Sequence, residues 1–161
     1  MMVKGYILLV ALHLPQVQCG GNPLGEKPES NVAHEPQTYE CPLCSVEAVS
    51  IAQERLASLN KEDFLCFIGT FDPTCSTNVE YSEFSNEVLF NVLLKHPQYV
   101  VEYVTDNGEA MKTEYILGRL ASPISDEIPV EQCIKAVSNT EGSSTAKTRI
   151  IASLKSSLPP R

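Results

Sequence analysis

The chain of 161 residues has no tryptophan, three histidines and few basic side chains. It also has no Asn-x-Ser/Thr acceptor for an N-linked glycan, since Asn22 is followed by Pro23. Without tryptophan, aromatic bulk must come from five Phe and six Tyr. With 12 basic against 20 acidic side chains the formal charge is −8 and the isoelectric point about 4.8. Such a field does not attract nucleic acid or anionic lipid, because counterion release needs a basic face. No Gly-rich phosphate loop and no interleaving of aromatic with basic residues occurs, so nucleotide and nucleic-acid binding have no support. No two basic residues are adjacent, which argues against a prohormone cut at dibasic sites.

Long apolar runs are scarce too. The longest, Ile7 to Leu14, has eight residues, follows Lys4 and stops at Pro15. A positive start, a short apolar stretch and a small residue before Gly20 make a secretory signal peptide, expected over 1–19. Eight residues do not span a bilayer, which takes roughly 20. A lipoprotein anchor on Cys19 would want small residues just before it, where Gln16 and Gln18 stand. The final Leu158-Pro159-Pro160-Arg161 carries no hydrophobic tail of the kind that signals a GPI anchor. The expected location is therefore extracellular.

Residues 20–40 hold Gly20, Gly21, Pro23, Gly25, Pro28 and Pro36 among polar and charged side chains. So little apolar surface cannot offset ordering entropy, and a flexible tail is expected. The single domain is expected over 41–158, long enough for one core.

Hydrophobic spacing in that domain is helical. Val49, Ala52, Leu56 and Leu59 mark a helix over 45–59, and Asn60 caps a second over 61–68. Residues 70–78 read as a turn-rich loop, and Ser82 as the cap of a helix running to Lys95. Pro97 suits a first helical position. The following QYVVEYV fits a helical stripe, yet its β-branched and aromatic content also suits a strand, so a β-hairpin over about 98–117 is the competing reading. Further helices are expected over 109–120, from Pro129 to Val137 and over 146–157. The fold class is all-α: a bundle of about five to seven short helices, stabilised by disulfides.

The cysteines carry the sharpest motif. Beyond residue 19 lie Cys41, Cys44, Cys66, Cys75 and Cys133, an odd number. In an oxidising compartment they should pair. The favoured arrangement closes Cys66 with Cys75 across a turn and takes Cys41 or Cys44 to Cys133. The unpaired member of the C-x2-C would then be available for a disulfide-linked homodimer. Two chemical readings compete. Cys41-Pro42-Leu43-Cys44 just before a helix has the layout of a thioredoxin-like redox pair, whose thiolate a helix N-terminus stabilises. Residues 31–40 supply no preceding buried strand, however. A zinc site would want a second close pair, and the spacing here is C-x2-C-x21-C-x8-C.

Over residues 41–75, a C-x2-C, a helix and two cysteines about ten apart loosely resemble saposin-like proteins, a secreted helical family that handles lipids. The Cys44–Cys66 interval is shorter than in that family, and its closing pair of cysteines is missing, with only Cys133 far downstream. The resemblance implies a lipid or membrane role.

Catalytic constellations are thin. His34 falls in the tail and His96 precedes a proline; neither has a neighbouring nucleophile. Glu62-Asp63 and Asp126-Glu127 sit at helix starts, where capping accounts for them. No catalytic, cofactor-binding or metal-ligating residue is assigned. Charge is lopsided: residues 20–141 hold 20 acidic and 7 basic side chains, whereas 142–161 hold Lys147, Arg149, Lys155 and Arg161 and no acid. The basic end is expected to lie against the acidic body of its own domain, with a membrane surface or acidic partner as the alternative.

The expected function is that of a secreted, non-enzymatic, disulfide-stabilised helical protein that binds an extracellular partner protein. The alternatives are a small helical carrier of a lipid or other apolar ligand, with Phe64, Phe67, Phe71, Phe84, Phe90 and Tyr99 around it, and a CPLC thiol–disulfide oxidoreductase using Cys41 and Cys44.

Overall fold

The computed structural model describes residues 41–108 and 110–159. The signal peptide expected over 1–19 and the tail over 20–40 lie outside them. Seven α-helices and one 3-10 turn make up the fold, and no strand occurs among the described residues. They are α1 (Val46–Glu54), α2 (Lys61–Gly69), the 3-10 turn (Pro73–Thr77), α3 (Val79–Lys95), α4 (Pro97–Asn107), α5 (Met111–Leu120), α6 (Val130–Asn139) and α7 (Ser144–Ser156).

Short polar side chains start most of these elements by accepting orphan backbone N–H groups. The Ser45 hydroxyl accepts from the Ala48 N–H at 3.2 Å, Asn60 from Asp63 at 2.8 Å and Asn78 from Tyr81 at 3.1 Å. Ser143 does the same for Ala146 at 3.3 Å. Several boundaries differ from expectation: α5 begins at Met111 rather than 109, and α6 runs on to Asn139 past Val137. α3 begins at Val79, under Asn78 rather than Ser82, because Asn78 supplies a competent cap four residues earlier. α7 begins at Ser144, just after Ser143. α1 ends at Glu54 instead of Leu59. Past Glu54 the bonds tighten to a three-residue step, Leu56 N–H to Gln53 O at 3.2 Å and Ser58 N–H to Arg55 O at 2.8 Å, and the Leu56 and Leu59 carbonyls accept from His96 Nε2 at 2.6 Å and the Tyr99 hydroxyl at 3.4 Å.

The hairpin expected as an alternative over 98–117 is absent. Pro97 takes the first position of α4, and Val100, Val101 and Val104 bury one helical face. Gly108, at φ 47°, ends the helix in a left-handed conformation that glycine adopts without penalty.

α3 is the axle of the bundle. It touches α1, α4, α5 and α6, and it buries residues from Tyr81 to Leu93 on more than one side. A helix that is apolar nearly all round is one enclosed by others. α7 closes the other side against α4, α5 and α6. Phe64, Phe67, Phe71 and Phe90 are buried, while Phe84 and Tyr99 are partly so. Phe67 meets Phe71 edge-on at 5.2 Å, and Phe64 meets Tyr99 at 5.4 Å. These rings pack on one another and on aliphatic neighbours of the core.

Candidate functional site

The two disulfides bring four of the cysteines of the sequence together. Cys41 is bonded to Cys66 and Cys44 to Cys75, with Cα–Cα separations of 5.3 and 5.4 Å. The segment before α1 is thereby tied to α2 and to the 3-10 turn. This pairing replaces both expected bridges. Cys66 and Cys75 do not close a local loop, and neither member of the C-x2-C reaches Cys133.

Local structure gives the reason. Cys66 sits in α2 beside the buried positions Phe64, Phe67 and Ile68 and is only half-buried, within reach of the incoming segment. Cys75 is held inward by the 3-10 turn, 1% exposed. Asp72 sets that turn by accepting from the Thr74 N–H at 2.9 Å and the Thr74 hydroxyl at 2.6 Å. Those two bonds, the hydroxyl's first, hold the Asp72 carboxyl below the usual carboxylate range.

Cys44 has φ 57°, rare for a residue with a side chain. Its N–H donates to Thr70 O at 3.0 Å, which, with the bridge, holds that conformation. Cys41 and Cys44 therefore form no CPLC dithiol pair with each other: each is bonded to a different partner.

Among the described residues Cys133 carries the one free thiol. It lies on the inner stripe of α6 with Val130 and Val137, fully buried, and burial pushes its pKa up to about 11. A neutral thiol in a core is inert. The unpaired cysteine is thus a core residue and not the C-x2-C member expected to link two chains.

Beside the Cys41–Cys66 bridge, α1 and α2 wall a groove of about 290 Å³, lined by Ala48, Ile51, Arg55, Asn60, Glu62, Asp63 and Cys66. The Asp63 carboxylate accepts from Arg55 at 3.0 Å and from Asn60 Nδ2 at 3.0 Å. Asp63 is thus committed to a cation as well as to the helix start, more than the capping role expected of it.

Around the bridges stand exposed apolar side chains that sequence reasoning missed. Five large hydrophobic residues are exposed among the described residues: Leu43, Leu65, Val79, Met111 and Ile124. Three lie in or directly after segments joined at the disulfides, and a fourth, Met111, is held beside α2 by its neighbour Lys112. Leu43 lies inside the C-x2-C and Leu65 precedes Cys66. Val79 follows the 3-10 turn that holds Cys75. Met111 precedes Lys112, whose Nζ donates to Gly69 O at 2.7 Å and so fixes the start of α5 beside the end of α2. A signal was present: Leu65 falls off the stripe of Phe64, Phe67 and Ile68, and Met111 off that of Thr113, Ile116, Leu117 and Leu120.

The remaining predicted residues are structural. His96 ends α3, bonds Leu56 O and stacks on Tyr99 at 5.5 Å. Asp126 and Glu127 lie in the loop before α6, where the Glu127 N–H donates to the Ser125 hydroxyl at 3.1 Å. His34 lies outside the described residues. The basic end meets the body through Arg149, which donates to Gly108 O at 2.8 Å and forms an ion pair with Glu114, and through Lys147, which donates to Thr140 O at 2.9 Å. No helix among the described residues is long and apolar enough to cross a membrane. No protein-family model matches the chain, and neither a curated protein nor a solved structure does.

Proposed function

We propose that this is a secreted, non-enzymatic binding protein that engages an extracellular partner protein through its disulfide-bound end. The observation carrying this reading is the company kept by the two bridges: Leu43, Leu65 and Val79, three of the five exposed large hydrophobic residues among those described, lie in or directly after the segments joined there, and Lys112 on Gly69 O brings the start of α5, with Met111, beside α2. Single exposed hydrophobic residues are ordinary; several gathered at one rigid end are what an interface core requires. Cross-links hold that end without help from the side chains of Leu43, Leu65, Val79 and Met111, which leaves them free for a partner.

Two disulfides, with no membrane-crossing helix among the described residues, are compatible with secretion. The apolar-carrier reading has less support, because Phe64, Phe67, Phe71 and Phe90 fill the core. The oxidoreductase reading has less too, since its two cysteines are each bonded elsewhere. The binding reading does not depend on a disulfide-linked homodimer.

The test compares the secreted protein with a variant carrying Leu43→Asp, Leu65→Asp and Met111→Asp, and with Ile124→Asp as a control away from the bridges. Each is cross-linked in conditioned medium and on the producing cells. The expected result is a product formed by the native protein and the control and lost in the triple variant, with helix content unchanged in all three. Equal products from the triple variant, or none from any of them, would overturn the reading.

A further inference from the structure

The two bridges differ in what can reach them. Cys75 is 1% exposed, and Cys44, though itself partly open to solvent, packs against the core and is anchored by its N–H on Thr70 O. Cys41 and Cys66 are both partly open to solvent, and Cys66 is part of the wall of the α1–α2 groove. Thiol–disulfide exchange requires a thiolate to approach a sulfur in line with the bond it breaks, so access decides which bridge reacts. Charge in the groove selects the thiol. Arg55 is occupied by Asp63 at 3.0 Å, while Glu62 is exposed on the rim, so the three charged residues lining it leave a net negative charge. A cationic thiol is drawn to such a rim and an anionic one repelled.

We propose that Cys66 is a thiolation site for cationic thiols. The incoming thiolate attacks Cys66 Sγ from the groove, a new sulfur–sulfur bond forms to Cys66, and the bond to Cys41 breaks. Its electron pair leaves with Cys41 as a thiolate. One disulfide is consumed and one formed, so no external oxidant or reductant enters. The fold survives the exchange, because Cys44–Cys75 and the bond from the Cys44 N–H to Thr70 O still hold the segment before α1. The released Cys41, three residues from that anchor, stays close enough to reverse the step. This site is independent of the docking reading.

The experiment uses the intact secreted protein. It is exposed briefly to excess cysteamine or glutathione, quenched in acid, alkylated and mapped by peptide mass. Each rate is normalised to that of the same thiol on an unstructured disulfide peptide. The expected product carries cysteamine on Cys66 and the alkyl group on Cys41, with Cys44–Cys75 intact. The normalised rate with cysteamine should exceed that with glutathione by about threefold at low salt, and the ratio should approach one at high salt. Glu62→Gln, at an exposed position, should lower the ratio and leave the product unchanged. Bridges that open together, an adduct placed mainly on Cys41, or a ratio insensitive to salt and to Glu62 would overturn the proposal.

Discussion

Residues 41–77 and residues 97–156 reach order by different means. The first region contains α1 and α2, nine residues each, shorter than a helix that holds itself in water. Two covalent bridges fix it, and the aromatic ladder Phe67, Phe71 and Tyr81 fills the space beneath. The second region contains no bridge. Its order comes from aliphatic stripes such as Val130, Cys133 and Val137 on α6 and Ala146, Ile150 and Leu154 on α7. Cationic side chains on backbone carbonyls, Arg149 on Gly108 and Lys147 on Thr140, add cross-ties.

The surfaces do not divide in the same way. Among the described residues each region exposes two large hydrophobic side chains, Leu43 and Leu65 in the first and Met111 and Ile124 in the second, although α4, α6 and α7 expose none.

The largest effect expected from breaking this contrast is loss of the buried bridge. Replacing Cys44 and Cys75 together by alanine removes a cross-link spanning 31 residues. The chain-entropy model assigns about 3.7 kcal/mol to such a loop. The Cys41–Cys66 span of 25 residues differs little on that ground. Removal of the inner pair should nevertheless cost more, because Cys75 also packs in the core. Urea unfolding of the two double variants decides, and an equal or reversed order would contradict the assignment of inner and outer bridges.

In the second region the matching break is a core truncation. Ile150→Ala should cost about 3 kcal/mol, the usual range for emptying a buried aliphatic site. Leu65→Asp, on the exposed side of the cross-linked region, should change stability by less than about 0.5 kcal/mol.

Cys133 gives a pH-dependent break, at most as large. Its thiol titrates near 8.5 in an unfolded chain, and burial pushes it up to about 11 in the folded one. Between those values the unfolded chain releases the proton and the folded chain keeps it, so stability is full below about pH 8.5 and falls as pH rises through the window. The fall should amount to about 3 kcal/mol at most. Cys133→Val should remove it. Tyr81 and Tyr103, also pushed up by burial, act in the same direction at the upper edge and remain in that variant as a background. An unchanged alkaline slope in Cys133→Val would show that the thiol is not buried.

The smallest break concerns two glycines. Gly142, at φ 114°, would place a Cβ 3.3 Å from Val101 Cγ1, while Gly108, at φ 47°, would meet nothing within 4 Å. Gly142→Ala should cost about 2 kcal/mol and Gly108→Ala about 1 kcal/mol, since only the first adds a steric contact to an unfavourable backbone conformation. Equal thermal shifts would argue against the close approach of the α6–α7 turn to α4.

Much of the helical order was legible in sequence. The stripe through Val49 and Ala52, the Asn60 cap and Pro97 each acts within a few residues, and each took its expected role. Local signals failed where a distant group intervened. The segment that follows α1 in place of further helix is held by His96 and Tyr99, 40 residues away. The choice between helix and hairpin after Pro97 depended on what Val100, Val101 and Val104 would pack against. The disulfides failed for the same reason: eight residues between Cys66 and Cys75 suggest a loop, but one sits in a helix and the other is turned inward by a 3-10 turn. The exposed face was half legible, through Leu65 and Met111 lying off their helical stripes; Leu43 gave no sign of it.

Disulfide connectivity tests the account most directly. Chymotrypsin can cut after Leu43, Phe67 and Phe71, which separates Cys41 from Cys44 and Cys66 from Cys75. A non-reduced digest of the secreted protein, alkylated only after unfolding, should yield peptides linking Cys41 to Cys66 and Cys44 to Cys75, with the alkyl group on Cys133 alone. A peptide joining Cys66 to Cys75, Cys41 to Cys44, or any of the four to Cys133 would contradict the division into a cross-linked end and a packed body.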